Sequence, residues 1–389
     1  MTELTPQSID DLRDAVAGAL ATGTRLELRG GGTKALIGAP RDATILDMRG
    51  LAGVIDYDPA ELVLTVGAGT PLAEIEALVA GEGQMLAFEP WDHGRLHGAA
   101  PAATIGGVVA AGVAGPRRVT AGSARDHLLG FKAVSGRGEI FVAGAKVVKN
   151  VTGYDLPKLA AGSWGRLFAM AELTLKVLPR PRVEATLAIA GLEPGQATTA
   201  MAAALGSNAE VSATAHLPAG TMQGAPLTLF RVTGFAPSVE ARCAQLPKIL
   251  AAHGAVQRLA EHEGAALWDA VRHVAPLDAP TLWRIHLPPS RAASFVAPLA
   301  AQGARWMMDW GGGLVWLGWN GPADTVRAAA EAAGGQAMLV RAPAAIWATT
   351  PAQHPRQPGV MAIEHRVRLA FDPAGLFETG RFLDLTNAD

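Results

Sequence analysis

Three consecutive glycines between an arginine and a threonine–lysine pair mark a candidate anion-binding loop near the start of the chain. The stretch reads RGGGTK and covers residues 29–34. Ordering each glycine costs roughly 0.5–1 kcal/mol more than ordering an alanine. An anion held by main-chain N–H groups would offset that cost, because side chains only obstruct such contacts. A plain flexible turn is the alternative interpretation.

Composition excludes several classes of protein. The chain has 389 residues, a formal net charge of -2 and 17% charged residues, so it lacks the basic face that nucleic-acid binding requires. A single cysteine, Cys243, allows neither an internal disulfide nor a cysteine-held iron–sulfur cluster. The first residues are acidic and polar, and the most apolar window, residues 101–115, is shorter than the roughly 20 residues that span a bilayer. These features predict a soluble cytoplasmic protein without a transmembrane segment.

Predicted elements on both sides of the glycine loop place it at the end of a strand. Apolar periodicity predicts an amphipathic helix over residues 8–21, and alternation over residues 24–30 predicts a strand that runs into the loop. Strands over residues 43–51 and 61–69 follow, with a turn at residues 56–59 between them. Because short turns rather than helices join these segments, we expect antiparallel pairing.

A strand–glycine–helix junction comes next. The glycines of VGAG, residues 66–69, precede a helix predicted over residues 71–81. A dinucleotide-binding fingerprint needs a third glycine where Leu72 stands, so a nicotinamide-binding Rossmann domain is not indicated. Residues 101–134 are dense in glycine and leave little room for regular helix.

The rest of the first half alternates strands and one short helix. Two strands around the turn SGRG (residues 135–138), a helix near residues 156–161 and a strand over residues 171–179 are predicted. Pro179 and Pro181 then indicate a domain boundary.

The second half repeats one pattern four times: a short strand, a proline-containing turn, an alanine-rich helix and a closing glycine. The copies cover residues 184–207, 227–254, 281–303 and 313–335. With further strands between them, these units predict a sheet covered by helices in a doubled ferredoxin-like arrangement. The closing stretch, residues 358–383, begins as a helix and ends in a tail punctuated by proline and glycine.

Six motifs in fixed order carry a resemblance to a known family. They are RGGGTK (residues 29–34), VGAG (66–69), ATIGG (103–107), GPR (115–117), VKNVTGYDLPKL (148–159) and LTLKVLP (173–179). Together they resemble the FAD-binding domain of the vanillyl-alcohol oxidase, or PCMH-type, family, and within it the FAD-binding subunits of glycolate oxidase complexes. The closing FDPAGLF is similar to the terminal segment of FAD-linked oxidases.

The resemblance implies an α+β fold. A two-subdomain PCMH-type FAD-binding domain is expected over residues 1–181, and a ferredoxin-like α+β cap domain over residues 182–345. Residues 346–389 are expected to return to the FAD-binding domain.

The resemblance also implies which residues bind FAD. The glycine loop would wrap the pyrophosphate, ATIGG would lie along the flavin, and VKNVTGYDL would approach the isoalloxazine ring, where donors stabilise the charge of the reduced flavin. The implied residues are Arg29, Gly30, Gly31, Gly32, Thr33, Lys34, Ala103, Thr104, Ile105, Gly106, Gly107, Gly122, Ser123, Asp126, Lys149 and Asn150. A solvated surface lysine is the alternative for Lys34, and a turn packed by a buried tyrosine is the alternative for Tyr154 and Asp155.

Three departures from the family pattern affect these expectations. SWGRLFA, residues 163–169, replaces the glycine-rich run that meets the adenine in relatives, which leaves Gly165 and Ala169 as the expected contacts. No histidine adjoins RGGGTK, so we expect the FAD to be bound non-covalently. The closing FETGR replaces the usual asparagine–proline–glycine, so a catalytic role for Arg381 is not carried over.

Oxidation of a small 2-hydroxy acid, the activity that the resemblance implies, requires a carboxylate clamp and a base. His365 and Arg366 are the candidate pair. Arg117 and Arg118 could contact an FAD phosphate or a partner instead. The histidines of the cap lack metal-ligand spacing, so no metal is expected and ordinary packed or surface histidines are favoured. These are His216, His253, His262, His273 and His286.

The resemblance implies partners as well. Related subunits work with a second flavin subunit and an iron–sulfur subunit, so electrons would leave glycolate through a heteromeric complex and reach a membrane carrier. Two alternatives remain open: an assembly subunit that keeps FAD only for stability, and a stand-alone D-2-hydroxy-acid dehydrogenase. Two interpretations are open for the tryptophan cluster of the cap: its members fill a core, or they form an apolar contact surface. The cluster comprises Trp306, Trp310, Trp316 and Trp319.

A first prediction tests the loop. Replacing Gly31 by valine should abolish FAD retention, because a branched side chain would keep the cofactor away from the main chain. Flavin absorbance after gel filtration measures retention. Full retention of FAD would show that the loop is not part of the binding site.

Overall fold

The computed structural model describes residues 3–145, 153–220 and 224–382. The chain forms two compact units. The first unit comprises Met1–Ala114, Gly122–Arg180 and Pro355–Asp389, and the second comprises Gly115–Ala121 and Pro181–His354. None of the helices in the described ranges has the length and apolar character to cross a bilayer.

Strands and helices alternate along both units. The strands are β1 (Glu3–Leu4), β2 (Leu26–Arg29), β3 (Thr44–Asp47), β4 (Val54–Asp58), β5 (Val63–Gly67), β6 (Gln84–Met85), β7 (Leu128–Ser135), β8 (Ile140–Gly144), β9 (Phe168–Lys176), β10 (Leu178–Pro179), β11 (Val183–Ala190), β12 (Ala213–Leu217), β13 (Leu227–Gly234), β14 (Gln257–Arg258), β15 (Leu282–His286), β16 (Arg305–Asp309), β17 (Leu314–Gly318) and β18 (Gln336–Arg341). The helices are α1 (Ile9–Thr22), α2 (Leu72–Gly81), α3 (Ile105–Ala110), α4 (Arg118–Ala121), α5 (Ala124–His127), α6 (Leu156–Ala160), α7 (Pro194–Leu205), α8 (Ala236–Ile249), α9 (Glu261–Arg272), α10 (Ala292–Ala300), α11 (Ala323–Ala332), α12 (Ala344–Trp347) and α13 (Pro358–Phe371).

The first unit contains two main sheets. A three-stranded sheet has the order β1-β3-β2, and a five-stranded antiparallel sheet has the order β4-β5-β9-β7-β8. The first helix confirms the sequence prediction: Ser8 caps it by accepting the Asp11 N–H at 3.1 Å, and Gly23 ends it in the left-handed conformation.

Two predictions for the first strands are wrong. Strands β2 and β3 pair in parallel, not antiparallel, because residues 30–43 form a connection long enough for a parallel crossover without a helix. The turn expected at residues 56–59 begins later, since Val54–Asp58 is strand β4 and Asp58 accepts the N–H groups of Ala60 and Glu61 at 3.0 and 3.1 Å. This edge strand exposes Val54 and Ile55, so it lacks the buried alternation that identifies strands.

Regular helix does occur in the glycine-dense residues 101–134, contrary to expectation. Helices α3, α4 and α5 each have only four to six residues, which is too short for a periodic signal to emerge.

The second unit is built on one eight-stranded antiparallel sheet. Its strand order is β14-β11-β13-β12-β16-β17-β15-β18. Strands β11 to β14 and strands β15 to β18 each follow the β-α-β-β-α-β path of a ferredoxin-like unit. Strands β12 and β16 pair edge to edge, which joins the two ferredoxin-like halves into one sheet within the second unit. The doubled ferredoxin-like prediction is confirmed.

The cap tryptophans are buried. Trp306, Trp310, Trp316 and Trp319 expose 3–6% of their surface, so they fill the core and do not form an exposed contact surface. This resolves the alternative left open by the sequence.

The closing FDPAGLF segment is anchored in the core of the first unit. Asp372 is buried, and its two carboxylate oxygens accept the N–H groups of Leu376 and Phe377 at 2.9 and 2.8 Å. Both of these apolar side chains pack in the same cluster as Leu12 and Val16 of α1. The carboxylate therefore holds the returning segment against the first helix.

A second prediction follows. Replacing Asp372 by alanine should lower the free energy of unfolding by about 2–4 kcal/mol, because two buried N–H groups lose their acceptor. Urea denaturation measures the change. Asp10→Ala, at an exposed carboxylate of α1, is the matched control, and equal effects of the two substitutions would contradict the anchoring role.

Candidate functional site

A cleft in the first unit gathers most of the residues that the sequence singled out. It opens where β2 ends, beside α3 and the segment before β9. Ten predicted residues line it: Arg29, Gly30, Gly31, Gly32, Thr33, Lys34, Thr104, Gly106, Gly107 and Gly165. The fold thus brings together loops that lie far apart in the sequence.

Bare main chain faces this cleft along residues 30–34. Among the described residues, the N–H groups of these five positions donate to no carbonyl and no side chain. Gly32 has a φ of 73°, which a residue with a side chain rarely adopts. A turn follows at once, with the Ala35 N–H donating to the Gly32 carbonyl at 2.9 Å. Successive free N–H groups on such a loop form a concave donor surface that suits an anion.

Packing within the protein also requires glycine at positions 30 and 31. A Cβ on Gly31 would lie 1.4 Å from the Ala102 carbonyl oxygen, and a Cβ on Gly30 would lie 2.1 Å from Thr104 Oγ1. Any side chain at either position would therefore push two protein segments apart. Loss of cofactor in the Gly31→Val protein would thus report displacement of the loop as well as loss of a cofactor contact.

The segment that meets these glycines is held by hydrogen bonds. Asp92 Oδ2 accepts the N–H groups of Ala102 and Ala103, each at 2.7 Å. The Gly106 N–H donates to the Ala68 carbonyl at 2.8 Å, which fixes the segment to the end of β5. Thr104 caps α3 by accepting the Gly107 N–H. Asp92, the Ala68 carbonyl and the cap of α3 thus hold in place the segment that packs against Gly30 and Gly31.

One wall of the cleft carries a charged cluster centred on Glu27. Arg41 donates to both Glu27 carboxylate oxygens, at 2.7 and 2.8 Å, and Arg29 donates to one of them at 3.1 Å. Burial opposes ionisation of Glu27, but the hydrogen bonds and charges of the two arginines outweigh burial and lower its pKa to about 2. Arg29 Nε is buried without a hydrogen-bond partner among the described residues. The cluster therefore keeps one unsatisfied cationic donor beside the cleft.

Lys34 is buried in the cleft wall, which excludes the solvated surface lysine that the sequence left open. Burial, opposed by the charge of Asp92 and reinforced by that of Arg381, lowers the pKa of Lys34 to about 8. Its carbonyl accepts a hydrogen bond from the Arg381 guanidinium, which also donates to the Ile37 carbonyl at 2.8 Å. Arg381, near the C-terminus, thereby stabilises the segment that follows the glycine loop.

The sequence missed several of these residues. Glu27 and Arg41 look like an ordinary pair of surface charges in the sequence, and Asp92 lies in no motif. Arg381 lines the cleft and stacks over Trp164, with its guanidinium carbon 5.2 Å from the ring centre. One sequence signal pointed to the Glu27–Arg29 contact. The alternation of LELR places Glu27 and Arg29 on the same face of a strand.

Other predicted cofactor residues lie away from the cleft surface. Ala103 and Ile105 are buried beneath it, and Ala169 packs in the core within β9. Gly122 has a φ of 83° and precedes Ser123, whose N–H donates to the Asp126 carboxylate at 2.8 Å. Here the three residues form a local turn and helix start. Lys149 and Asn150 lie outside the described residues.

The candidate catalytic pair is also separate from the cleft. His365 and Arg366 lie on α13 with exposed side chains and do not line it. Tyr154 is 92% exposed, so the buried-tyrosine alternative is wrong. Asp155 caps α6 by accepting the Lys158 N–H at 3.3 Å.

The chemistry of the cleft fits a phosphorylated, partly planar cofactor. Free N–H groups, the buried Arg29 donor and Lys34 suit a pyrophosphate, while Gly106, Gly107 and Gly165 leave main chain exposed for close packing. The profile described as "FAD binding domain" matches residues 3–144. Over the whole chain, the fold is similar to that of p-cresol methylhydroxylase with substrate bound, with a TM-score of 0.75, 13% identity, and coverage of 100% of this chain and 90% of that chain. The protein is therefore an FAD-dependent oxidoreductase with a PCMH-type fold.

Comparison with curated proteins narrows the class. The chain is 33% identical over 373 residues to glycolate oxidase subunit GlcE of Escherichia coli K12, covering 95% of this chain and 96% of that protein. It belongs to the GlcE family. Shorter similarity extends to D-lactate dehydrogenase of Archaeoglobus fulgidus, with 32% identity over 42% of this chain and 35% of that protein. Glycolate oxidase subunit GlcD of Bacillus subtilis is 30% identical over 41% of this chain and 33% of that protein.

A third prediction concerns Lys34. FAD carries a negatively charged pyrophosphate, which favours the protonated amine, so FAD affinity should fall about fivefold to tenfold as the pH rises from 7 to 9, through the lowered pKa of Lys34. The Lys34→Met protein should bind FAD more weakly at pH 7 and lose this pH dependence. Quenching of flavin fluorescence measures binding.

Lys158→Met is the matched control, because Lys158 is an exposed lysine of the same unit. It should keep the wild-type pH profile. An unchanged profile in the Lys34→Met protein would show that Lys34 does not contact the phosphates.

Proposed function

We propose that the chain is the FAD-binding subunit of a glycolate-oxidising complex, which converts glycolate to glyoxylate and passes the electrons to partner subunits. The observation that carries the proposal is the cleft of free main-chain donors and cations in a chain that aligns with subunit GlcE over nearly its whole length. The related proteins named for glycolate and lactate support a small 2-hydroxy acid as substrate.

The chain's own residues would hold the cofactor without a covalent bond. The N–H groups of residues 30–34 would bind the pyrophosphate, and Arg29 and Lys34 would offset its charge. The Glu27–Arg41 pair fixes the orientation of Arg29, and Arg381 braces the loop that carries Lys34. When bound, FAD would accept the hydride of the substrate carbon.

Electrons would leave the chain through other subunits. The single cysteine cannot hold an iron–sulfur cluster, so a relay cluster must come from a partner. Subunit names of the relatives GlcE and GlcD support a complex with a second flavin subunit. We propose that an iron–sulfur subunit completes it, and that the complex works in the cytoplasm or at the membrane periphery through these partners.

One observation favours a second function, that of an assembly subunit that keeps FAD for stability. His365 and Arg366 lie outside the cleft, and none of the described residues that line it is a histidine that could act as a base. The stand-alone D-2-hydroxy-acid dehydrogenase is the third candidate.

A fourth prediction separates the three functions. Purified FAD-loaded chain is mixed with glycolate without oxygen while flavin absorbance is followed, first alone and then with the partner subunits. The proposal predicts bleaching with the partners present. Bleaching of the isolated chain would exclude the assembly function, and bleaching that requires partners would exclude the stand-alone enzyme. Bleaching that depends only on a flavin bound to a partner would contradict the proposal, and preparing this chain without FAD tests that case.

A further inference from the structure

An aromatic wall forms part of the cleft in the first unit. Trp164 lines the cleft with a half-buried side chain. The guanidinium carbon of Arg381 lies over the indole at 5.2 Å from the ring centre, and the Phe382 ring meets the indole edge-on, with 5.2 Å between centres and an angle of 71°. The closing segment of the chain thus supports the indole from two directions.

The main chain at Trp164 has a conformation that a bulky residue rarely adopts, with a φ of 57°. Hydrogen bonds to the end of α3 maintain it: the Trp164 N–H donates to the Ala110 carbonyl at 2.8 Å, and the Gly162 N–H donates to the Val109 carbonyl at 3.0 Å. Backbone strain that surrounding contacts maintain is concentrated at functional sites. Because glycine or asparagine would relieve the strain, the indole itself is the feature that requires an explanation.

The indole shares the cleft lining with apolar side chains, namely Ala110, Ala111, Phe168 and Met170. The glycine loop contacts the start of α3, since a Cβ on Gly30 would collide with Thr104. Trp164 contacts the end of the same helix, whose six residues span about 9 Å. The cleft therefore offers phosphate donors near one end of α3 and an aromatic wall near the other.

FAD has two ring systems, and the chemistry of the cleft favours the ring that does not react. Oxidation at the isoalloxazine requires a base and a carboxylate clamp beside it. Among the described residues, no histidine lines the cleft, and the carboxylate of Glu27 is a poor base because Arg29 and Arg41 donate to it. Adenine needs neither group, since any base can stack on an aromatic side chain.

We propose that the adenine of FAD packs on the indole of Trp164, while the closing segment of the chain holds the indole in place. The assignment rests on the proposal that the N–H groups of residues 30–34 bind the pyrophosphate. The sequence indicated Gly165 and Ala169 as the adenine contacts, so Trp164 is an additional residue of this site.

The test uses full-length, FAD-loaded protein from which excess ADP or FMN displaces FAD, and chromatography of the protein-bound nucleotides measures displacement. ADP contains the adenine and the pyrophosphate, whereas FMN contains the isoalloxazine and one phosphate. Trp164→Asn removes the ring and suits the observed φ, so it should fold. Its affinity for FAD and for ADP should each fall about tenfold or more, because a base–aromatic stack is lost. Its affinity for FMN should stay unchanged.

Two further variants separate stacking from other effects. Trp164→Phe keeps an aromatic ring and should bind ADP with intermediate affinity. Phe235→Leu is the matched control, because Arg182 lies over the Phe235 ring at 5.6 Å, yet Phe235 is exposed, belongs to the second unit and does not line the cleft. It should leave all three affinities unchanged. A thermal melt confirms that each variant folds.

Three results would overturn the inference: failure of ADP to displace FAD from the wild-type protein, wild-type ADP affinity in the folded Trp164→Asn protein, or a loss of FMN affinity as large as the loss of ADP affinity. The last result would mean that the indole contacts the flavin or only maintains the cleft. Flavin bleaching judges the proposed function separately. A protein that fails the adenine test and is bleached by glycolate keeps the proposed function, and one that passes the test and never bleaches loses it.

Discussion

Gly30 and Gly31 lie so close to the 102–104 segment that no side chain fits between the two backbones. Most features of the first unit's cleft depend on this contact. It brings the end of β2 against the start of α3, two segments separated along the chain by β3, β4, β5, α2 and β6. The N–H groups of residues 30–34 donate to no residue in the described ranges and are available to the cleft. The glycines thus serve the protein's own packing as much as the cofactor.

Buried charge is handled differently in the two units. In the first unit, Arg29 and Arg41 share the carboxylate of Glu27, so one of their two positive charges is balanced within the protein. In the second unit, the Arg284 guanidinium lies over the rings of Trp310 and Trp316, and within the described ranges no carboxylate bonds to it, although the charge of Asp309 acts on it. A ring face interacts favourably with a cation yet leaves its N–H donors unused. The first arrangement fixes the orientation of a loop, and the second holds a cation against aromatic rings within a sheet.

The sequence predicted motifs and periodic elements well, but it did not predict how the first strands pair. The four strand–helix repeats of the second half are confirmed, because each has a period and a closing glycine within one short window. The parallel pairing of β2 with β3 was missed, since a loop without a helix can be either a hairpin or a crossover. Edge strand β4 was missed in part because its exposed Val54 and Ile55 give no burial pattern.

What the sequence determined by itself is local: glycine runs, helix caps, alternation along strands and the ordered motifs that indicate FAD. These signals reside in neighbouring residues, so a linear chain displays them. Tertiary structure alone decided that Lys34 is buried, that Arg381 donates to the carbonyl of Lys34 and that the Arg284 guanidinium lies over Trp310 and Trp316. Charge balance is a sum over groups that lie close in space, and residues far apart in sequence enter that sum only after the chain has folded.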